Sequence, residues 1–211
     1  MKKGVSLEKI KPLGIPFDPK FNQPVSREEI IQRYKLDARL PNILIMGGGQ
    51  GLGPIKTMVN SLEKAKNDFQ EIIVTGTNKK VYKSLKKKIR KLKKKALLFG
   101  YANNIHELMS ISDLIITKPG GVTTAEALAK NLPMIIVKPI PGQEASNAAY
   151  LTEENAALRI DRAKDIGILI EDLLSNRNKL NRLRESAQRI SKPRASSDIA
   201  QLLLNLSGKD A

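Results

Sequence analysis

The sequence predicts an α/β fold built on a parallel sheet, and three observations carry that prediction. Short runs of Ile, Val and Leu recur along the chain, each too short for a helix and apolar on both faces, as strands covered on both sides should be. These runs alternate with amphipathic stretches, an order that demands right-handed crossovers between parallel strands. With 211 residues, 41% hydrophobic and 27% charged, the chain has room for one full domain with a real core, and a large two-lobed enzyme does not fit.

The elements follow in order. Residues 1–40 are punctuated by Pro12, Pro16, Pro19 and Pro24 and hold one short helix, opened by Ser26 with Glu29 at capping-box spacing. They read as a linker plus that helix. Strands are expected at 42–46 (NILIM), 71–75 (EIIVT), 96–99 (ALLF), 113–117 (DLIIT) and 133–137 (PMIIV). Helices are expected at 53–67, 79–94, 105–110, 123–130 and 144–155, with two or three more from 162 onward. The ligand-binding domain is thus placed at 41–190, and a C-terminal helix and tail at 191–211. In a parallel sheet the ligand sits outside the carboxyl ends of the strands, so the loops after each strand are where chemistry belongs.

Composition narrows the partners. The chain has 37 Lys and Arg against 21 Asp and Glu, a net charge of +16, which points to an anionic partner: nucleic acid, a membrane surface or a phosphorylated ligand. The absence of Cys excludes disulfides, thiolate zinc sites and a cysteine nucleophile, and agrees with a reducing cytosol. Aromatic residues at 4% and no Trp argue against a base-stacking surface. The opening MKKGVSLEKI lacks the apolar core of a secretory signal, and no apolar run approaches the ~20 residues of a membrane helix. If the protein meets a membrane, it lies on it.

Three loops carry the interest. The first strand runs into Gly47-Gly48-Gly49-Gln50-Gly51-Leu52-Gly53, a stretch nearly free of Cβ atoms that opens a helix, where backbone N–H groups can approach phosphate. It is neither a dinucleotide fingerprint, which would need Gly where Leu52 or Pro54 stands, nor a Walker A loop, where Ile55 blocks the Gly before Lys56-Thr57. A tight strand-to-helix turn is the plainer reading. The fourth strand leads into Lys118-Pro119-Gly120-Gly121-Val122-Thr123-Thr124-Ala125-Glu126, a second glycine turn before a helix. Glu126 either accepts from both hydroxyls of a ribose or closes a capping box with Thr123. After the fifth strand, Gln143, Glu144 and Asn147 fall on one helical face and suit a polyhydroxylated ligand, or form an ordinary solvated first turn. The single histidine, His106, reads as local structure. No metal-ligand cluster and no Asp-x-Asp pair is present, so no metal or other cofactor is expected.

Four segments in this order and spacing, MGGGQGLGP (46–54), FGYANNIHELM (99–109), TKPGGVTTAEALAKNLPMI (117–135) and PGQEASNAAYL (141–151), resemble the carboxyl-terminal half of the family 28 glycosyltransferases. That group holds monogalactosyldiacylglycerol synthases, processive diacylglycerol glucosyltransferases and the lipid II N-acetylglucosaminyltransferase, and the segments look nearest the diacylglycerol branch. The resemblance implies a Rossmann-like lobe of a GT-B arrangement that holds a UDP-sugar. It implies that Gly100, Tyr101 and Ala102 face the uracil and that Glu126 takes the ribose hydroxyls. Gly120, Gly121, Thr123 and Thr124 would hold the diphosphate, bordered by Gly49, Gln50 and Gly51, and Gln143, Glu144 and Asn147 would read the sugar. Gly14-Ile15-Pro16-Phe17-Asp18 is similar to the family's interlobe segment. The acceptor lobe, with its general base, would then lie outside this chain or on a partner chain, so no catalytic residue is expected here.

The leading expectation is therefore the donor-binding half of an inverting, metal-independent transferase that moves hexose from UDP-hexose to diacylglycerol and is inactive alone. The alternatives are a UDP-N-acetylglucosamine transferase subunit for a polyprenyl-linked acceptor, a nucleotide-sugar epimerase, and a non-catalytic UDP-sugar-binding module. A separate feature is KKVYKSLKKKIRKLKKK at 79–95, whose eleven basic residues accompany no acid. Val81, Leu85, Ile89 and Leu92 form an inward stripe, so the lysines turn outward. Lys86, Lys87, Lys88, Arg90, Lys91 and Lys94 are the candidate contacts to an anionic membrane, placing the protein at the inner face of the cell membrane on its cytoplasmic side. Nucleic acid is not expected, because no recognition motif accompanies the charge.

Overall fold

The computed structural model describes residues 4–208; residues 1–3 and 209–211, at the ends of the expected linker and tail, lie outside them. Six parallel strands form one sheet: β1 (Asn42–Met46), β2 (Gln70–Val74), β3 (Ala96–Phe99), β4 (Leu114–Thr117), β5 (Met134–Val137) and β6 (Ala157–Ile160), in the order β3-β2-β1-β4-β5-β6. The strand order reverses between β1 and β4, and the crevice at their carboxyl ends is where such sheets take ligands. The registers bring Met46 beside Val74 and Thr117, and Val74 beside Phe99, so these residues floor that crevice.

Every residue of β1, β2, β4 and β5 is buried, which is why they read as continuous apolar runs. Alternation along the strands divides the core in two. Leu44, Met46, Ile72, Val74, Ile115, Met134 and Ile136 face one side. There they meet α1 (Arg27–Arg33), α4 (Ile105–Ser110), α5 (Gly121–Ala129), α6 (Gln143–Glu153) and Ala187 of α8 (Arg177–Ile190). Ile43, Ile45, Ile73, Leu114, Ile116, Ile135 and Val137 face the other, against α2 (Ile55–Leu62), α3 (Lys79–Lys88) and α7 (Ile166–Ser175). A last helix, α9 (Ala195–Leu206), follows.

Several boundaries differ from the sequence reading. The sixth strand was not expected: β6 is an edge strand of four residues with Arg159 exposed, which leaves too little apolar signal. The helix expected over 79–94 ends at Lys88 and tightens into a 3-10 turn at Ile89–Lys91, letting Ile89 and Leu92 pack on the core before β3. The first helix starts at Arg27 as expected, with the Ser26 hydroxyl accepting the Glu29 N–H at 3.2 Å. The segment read as a linker also supplies Phe17, Phe21, Ile30, Ile31 and Leu36 to the core, and Ser196 of α9 ties it down, its hydroxyl donating to the Phe17 carbonyl and accepting the Phe17 N–H.

Candidate functional site

At the carboxyl ends of the central strands a cavity of about 320 Å³ opens above Met46 and Val74. Gly48 and Gly49 from the β1–α2 loop and Gly76 from the β2–α3 loop form one wall, Tyr101 and Ala102 after β3 a second, and Val122, Thr123 and Glu126 of α5 a third. Five residues nominated from the sequence, Gly49, Tyr101, Ala102, Thr123 and Glu126, thus meet around one space. Gly100 stands just behind it, between Gly76 and the Tyr82 ring.

Glu126 is the charged group of this wall. Burial, and then the negative charge of Asp18, push its carboxyl up to about 7, and no hydrogen bond from the protein offsets them. The capping-box alternative is not what forms: Gly120 is the N-cap of α5, the helix starts two residues earlier than expected, and Thr123 sits inside its first turn. Asp18 instead caps a short turn, accepting the Lys20 N–H at 2.9 Å, which holds its own carboxyl below the usual range.

The glycines divide by function. Gly51 is buried with φ at 59°, and a Cβ there would lie 1.8 Å from the Thr75 carbonyl oxygen. Gly76, with φ at 54°, would place a Cβ 2.1 Å from the Gly49 carbonyl oxygen. The two loops interlock: the Thr77 N–H donates to Gly49 O at 2.9 Å, and Asn78 Nδ2 donates to Gly51 O at 3.1 Å while its Oδ1 caps α3 through the Val81 N–H. Gly51 is therefore required by the packing of these loops. Gly49 and Gly120 have open space where a Cβ would stand, so a ligand can approach their backbone. Gln50 is exposed at the loop tip. Asn78 was not singled out from the sequence, although an Asn directly before a lysine-rich helix is an N-cap signal.

The third loop lies beside the second glycine turn. Gln143 reaches Gly121, where a Cβ would fall 3.7 Å from its Nε2 and 3.0 Å from the Ile15 side chain. Glu144 accepts the Ile140 N–H at 2.8 Å and pairs with Lys118 at 3.2 Å, and Asn147 donates to the Pro119 carbonyl at 2.9 Å. Glu144 thus has both oxygens engaged in loop structure, while Asn147 engages its amide nitrogen and keeps its Oδ1 free of a protein partner. Lys118, mostly buried and also touching the space above Gly53, ties together the loops after β1, β4 and β5. Thr124, expected beside Thr123, faces the other way: it is buried, its hydroxyl has no hydrogen-bond partner, and it lines a different cavity together with Asn147. Consecutive helical residues point ~100° apart, so the two threonines cannot share one space. His106 stacks edge-on against Phe21 at 6.0 Å, the local role the sequence suggested.

The lysine segment is elsewhere. Because α3 runs back along the sheet, residues 86–95 gather at the amino ends of the strands, one strand length, roughly 15 Å, from the cavity. Ten ion pairs join described residues, and none uses a basic residue of 79–95. Lys86, Lys87, Arg90 and Lys91 are exposed. Lys88 and Lys94 turn inward, Lys88 to the Asn60 side chain and Lys94 to the Ala65 carbonyl and the face of the Phe69 ring. They lie over Glu71, a fully buried carboxyl with no partner on either oxygen, pushed up to about 8 by burial and by Glu63 against the pull of Lys94 and Lys88.

The family described as "Glycosyltransferase family 28 C-terminal domain" matches residues 42–203. The processive diacylglycerol beta-glucosyltransferase of Bacillus licheniformis is 34% identical over 184 residues, covering 87% of this chain and 48% of that protein. The chain spans about half the length of the curated relatives it matches. Among solved structures, MurG of Acinetobacter baumannii superposes with a TM-score of 0.69 at 18% identity over 88% of this chain and 55% of its own. Anabaena HepE in complex with UDP-glucose superposes at 0.63 with 16% identity, over 91% and 56% of the two chains. Both share the fold, a Rossmann-like lobe of the GT-B arrangement.

Proposed function

The chain belongs to the family of glycosyltransferase family 28 C-terminal domains, and from that premise we propose that it is the donor-binding half of an inverting, metal-independent transferase that moves hexose from a UDP-sugar to diacylglycerol. Glucose is the favoured hexose, after the named activity of the B. licheniformis relative. The observation that carries the reading is Glu126, a largely buried carboxyl on the cavity wall whose oxygens the protein leaves free. Two vicinal ribose hydroxyls would satisfy both.

In this reading the uracil lies against Tyr101 and Ala102, and the diphosphate lies on the amino end of α5. There the free N–H groups after Gly120, and the helix dipole, meet its charge. An acceptor hydroxyl, deprotonated by a base outside this chain, attacks the anomeric carbon as the bond from that carbon to the diphosphate oxygen breaks. UDP departs with the electron pair, stabilised by the same helix terminus and Thr123. Gln143, next to Gly121, and the Asn147 Oδ1, which has no protein partner, are the groups of the third loop open to the sugar.

The exposed lysines of α3 supply a surface for anionic lipid, at about 1 kcal/mol per cation near the membrane. No helix among the described residues is long and apolar enough to cross a bilayer. Calorimetry with UDP, UDP-glucose, UDP-galactose, UDP-N-acetylglucosamine and ADP tests the donor site. Uridine ligands are expected to bind, UDP-glucose at least as well as the other sugars, and ADP at least tenfold more weakly. Equal binding of ADP overturns the uracil assignment. Vigorous glucosylation of diacylglycerol by the 211-residue chain alone overturns the placement of the base elsewhere.

A further inference from the structure

At the amino ends of β1 and β4, the end of the sheet away from the donor cavity, another cavity of about 380 Å³ opens between Pro41, Asp113 and helices α7 and α8. Its volume falls within the range of small-molecule sites. Four guanidiniums gather around it, those of Arg27, Arg39, Arg177 and Arg184, with one carboxylate, that of Asp113. Two of the four are answered within the fold. Arg27 reaches Asp113 Oδ2 at 3.4 Å, an oxygen that also accepts the Asn42 N–H at 2.8 Å, and Arg39 at the rim pairs with Asp37 at 2.8 Å. Arg177 and Arg184 take part in none of the ten ion pairs among the described residues. Spaced by seven residues on α8 with Asn181 between them, they share one helical face and stand about 10 Å apart along its axis, a gap that two arginine side chains can close onto one group. Arg184 is half-buried. Two uncompensated cations at one concavity repel each other, and an anion between them relieves that repulsion. Leu40, Leu174 and Leu180, each partly buried, supply an apolar part of the wall.

We propose that this cavity is a phosphate site, in which Arg177 and Arg184 grip one phosphomonoester group, Asn181 donates to a further oxygen, and the leucines meet the carbon skeleton that carries it. A phosphomonoester bears about two negative charges at neutral pH, matching two uncompensated guanidiniums, and their planar forks fit its oxygens in pairs. A carboxylate brings one charge and would leave one arginine unanswered. A phosphate on an acylglycerol backbone supplies both the anion and the apolar carbons, and the cavity opens at the same end of the sheet as the lysines of 86–95. A soluble phosphomonoester offers the same anion without the apolar part. The site rests on the cavity and its arginines, and the lipid as its source rests on the membrane reading of the lysine face above.

The test titrates the 211-residue chain by calorimetry with 1,2-dihexanoylphosphatidic acid below its aggregation limit, with glycerol 3-phosphate and with UDP. The wild-type chain is expected to bind the phosphatidic acid. Arg184→Gln should weaken that binding at least tenfold and Arg177→Gln several-fold, and Arg184→Lys, which keeps the charge but loses the fork, should recover only part of the loss. Lys87→Gln, which removes one charge from the lysine face, should change it less than twofold, and each variant should leave UDP binding within twofold. Failure of both phosphates to bind, undiminished binding by the arginine variants, or an equal loss from Lys87→Gln overturns the proposal, the last because it reduces the cavity to part of a diffuse positive field. Glycerol 3-phosphate binding as tightly as the phosphatidic acid supports the phosphate site and moves its source from lipid to a soluble phosphomonoester. Should Arg184→Gln not fold, the wild-type chain decides: the phosphatidic acid is expected to shield Arg177 and Arg184 from phenylglyoxal, and modification of both at the unliganded rate overturns the site. Phosphatidic acid binding without UDP binding would remove the donor reading and leave this site standing.

Discussion

The loops at the carboxyl ends of the strands and the lysine face at their amino ends are both built from one repeated residue, yet they use repetition in opposite ways. Along the first rim each glycine has its own neighbour: Gly51 lies against the Thr75 carbonyl and Gly76 against Gly49, while Gly120 looks into open space. Along α3 no cation forms an ion pair, and all but Lys88, which turns to Asn60, extend into solvent. A shape-defining rim should fail at single positions, and a charged face should fade in proportion to the charge removed.

The contrast is tested most severely at Gly51. Gly51→Ala forces both a positive φ and an overlap with backbone, and should destabilise the chain by about 2–5 kcal/mol in urea unfolding. Gly120→Ala should cost less than about 1 kcal/mol of stability while weakening UDP, because its Cβ meets only the ligand. Equal losses at the two sites would erase the distinction between packing and binding glycines.

Under the lysine face, Glu71 should show the next largest effect. Its folded pKa, about 8, stands above the ordinary 4.5, so its contribution is most favourable below pH 4.5 and is lost as the pH rises through about 8. Glu71→Gln should therefore match the wild type near pH 4.5 and exceed it at pH 9 by on the order of a few kcal/mol in thermal unfolding. A constant difference across that range would remove the buried ionisation.

On the rim, Glu126 must ionise to accept from two hydroxyls, so UDP affinity should rise roughly tenfold from pH 6 to pH 8. Glu126→Gln should flatten that profile and cost roughly tenfold at pH 8 by calorimetry. A pH-dependent profile surviving the substitution would assign it to another group. The smallest single effect belongs to α3. Lys87→Gln should lower the affinity for anionic vesicles by about 1 kcal/mol at most, with Lys88→Gln less, since Lys88 is turned to Asn60. Equal binding to zwitterionic vesicles would remove the lipid from this face altogether.

The sequence revealed what local composition controls and hid what distant contacts control. The strands β1, β2, β4 and β5 were legible because burial on both faces leaves an unbroken apolar run, and β6 was not, because Arg159 and a solvent-facing edge interrupt it. Glu126 and Thr123 were legible because one helix carries them. Thr123 and Thr124 are neighbours in the string, yet consecutive helical residues point ~100° apart, and the two line different cavities. Gly51 and Gly120 look alike in a one-dimensional string. Only the Thr75 carbonyl, from the next crossover, tells them apart. Likewise nothing near Lys88 and Lys94 in the chain announces Glu71 beneath them.

The locked pair of loops after β1 and β2 has a kinetic meaning. Carbonyls of one loop are already held by Thr77 and Asn78 of the other, so that wall is in its final shape before any ligand arrives. A nucleotide landing there loses no association free energy to ordering those two segments, and encounter rather than loop closure should set its on-rate. Any adjustment of the cavity to a ligand then falls to its far side, where Tyr101 is mostly exposed to solvent.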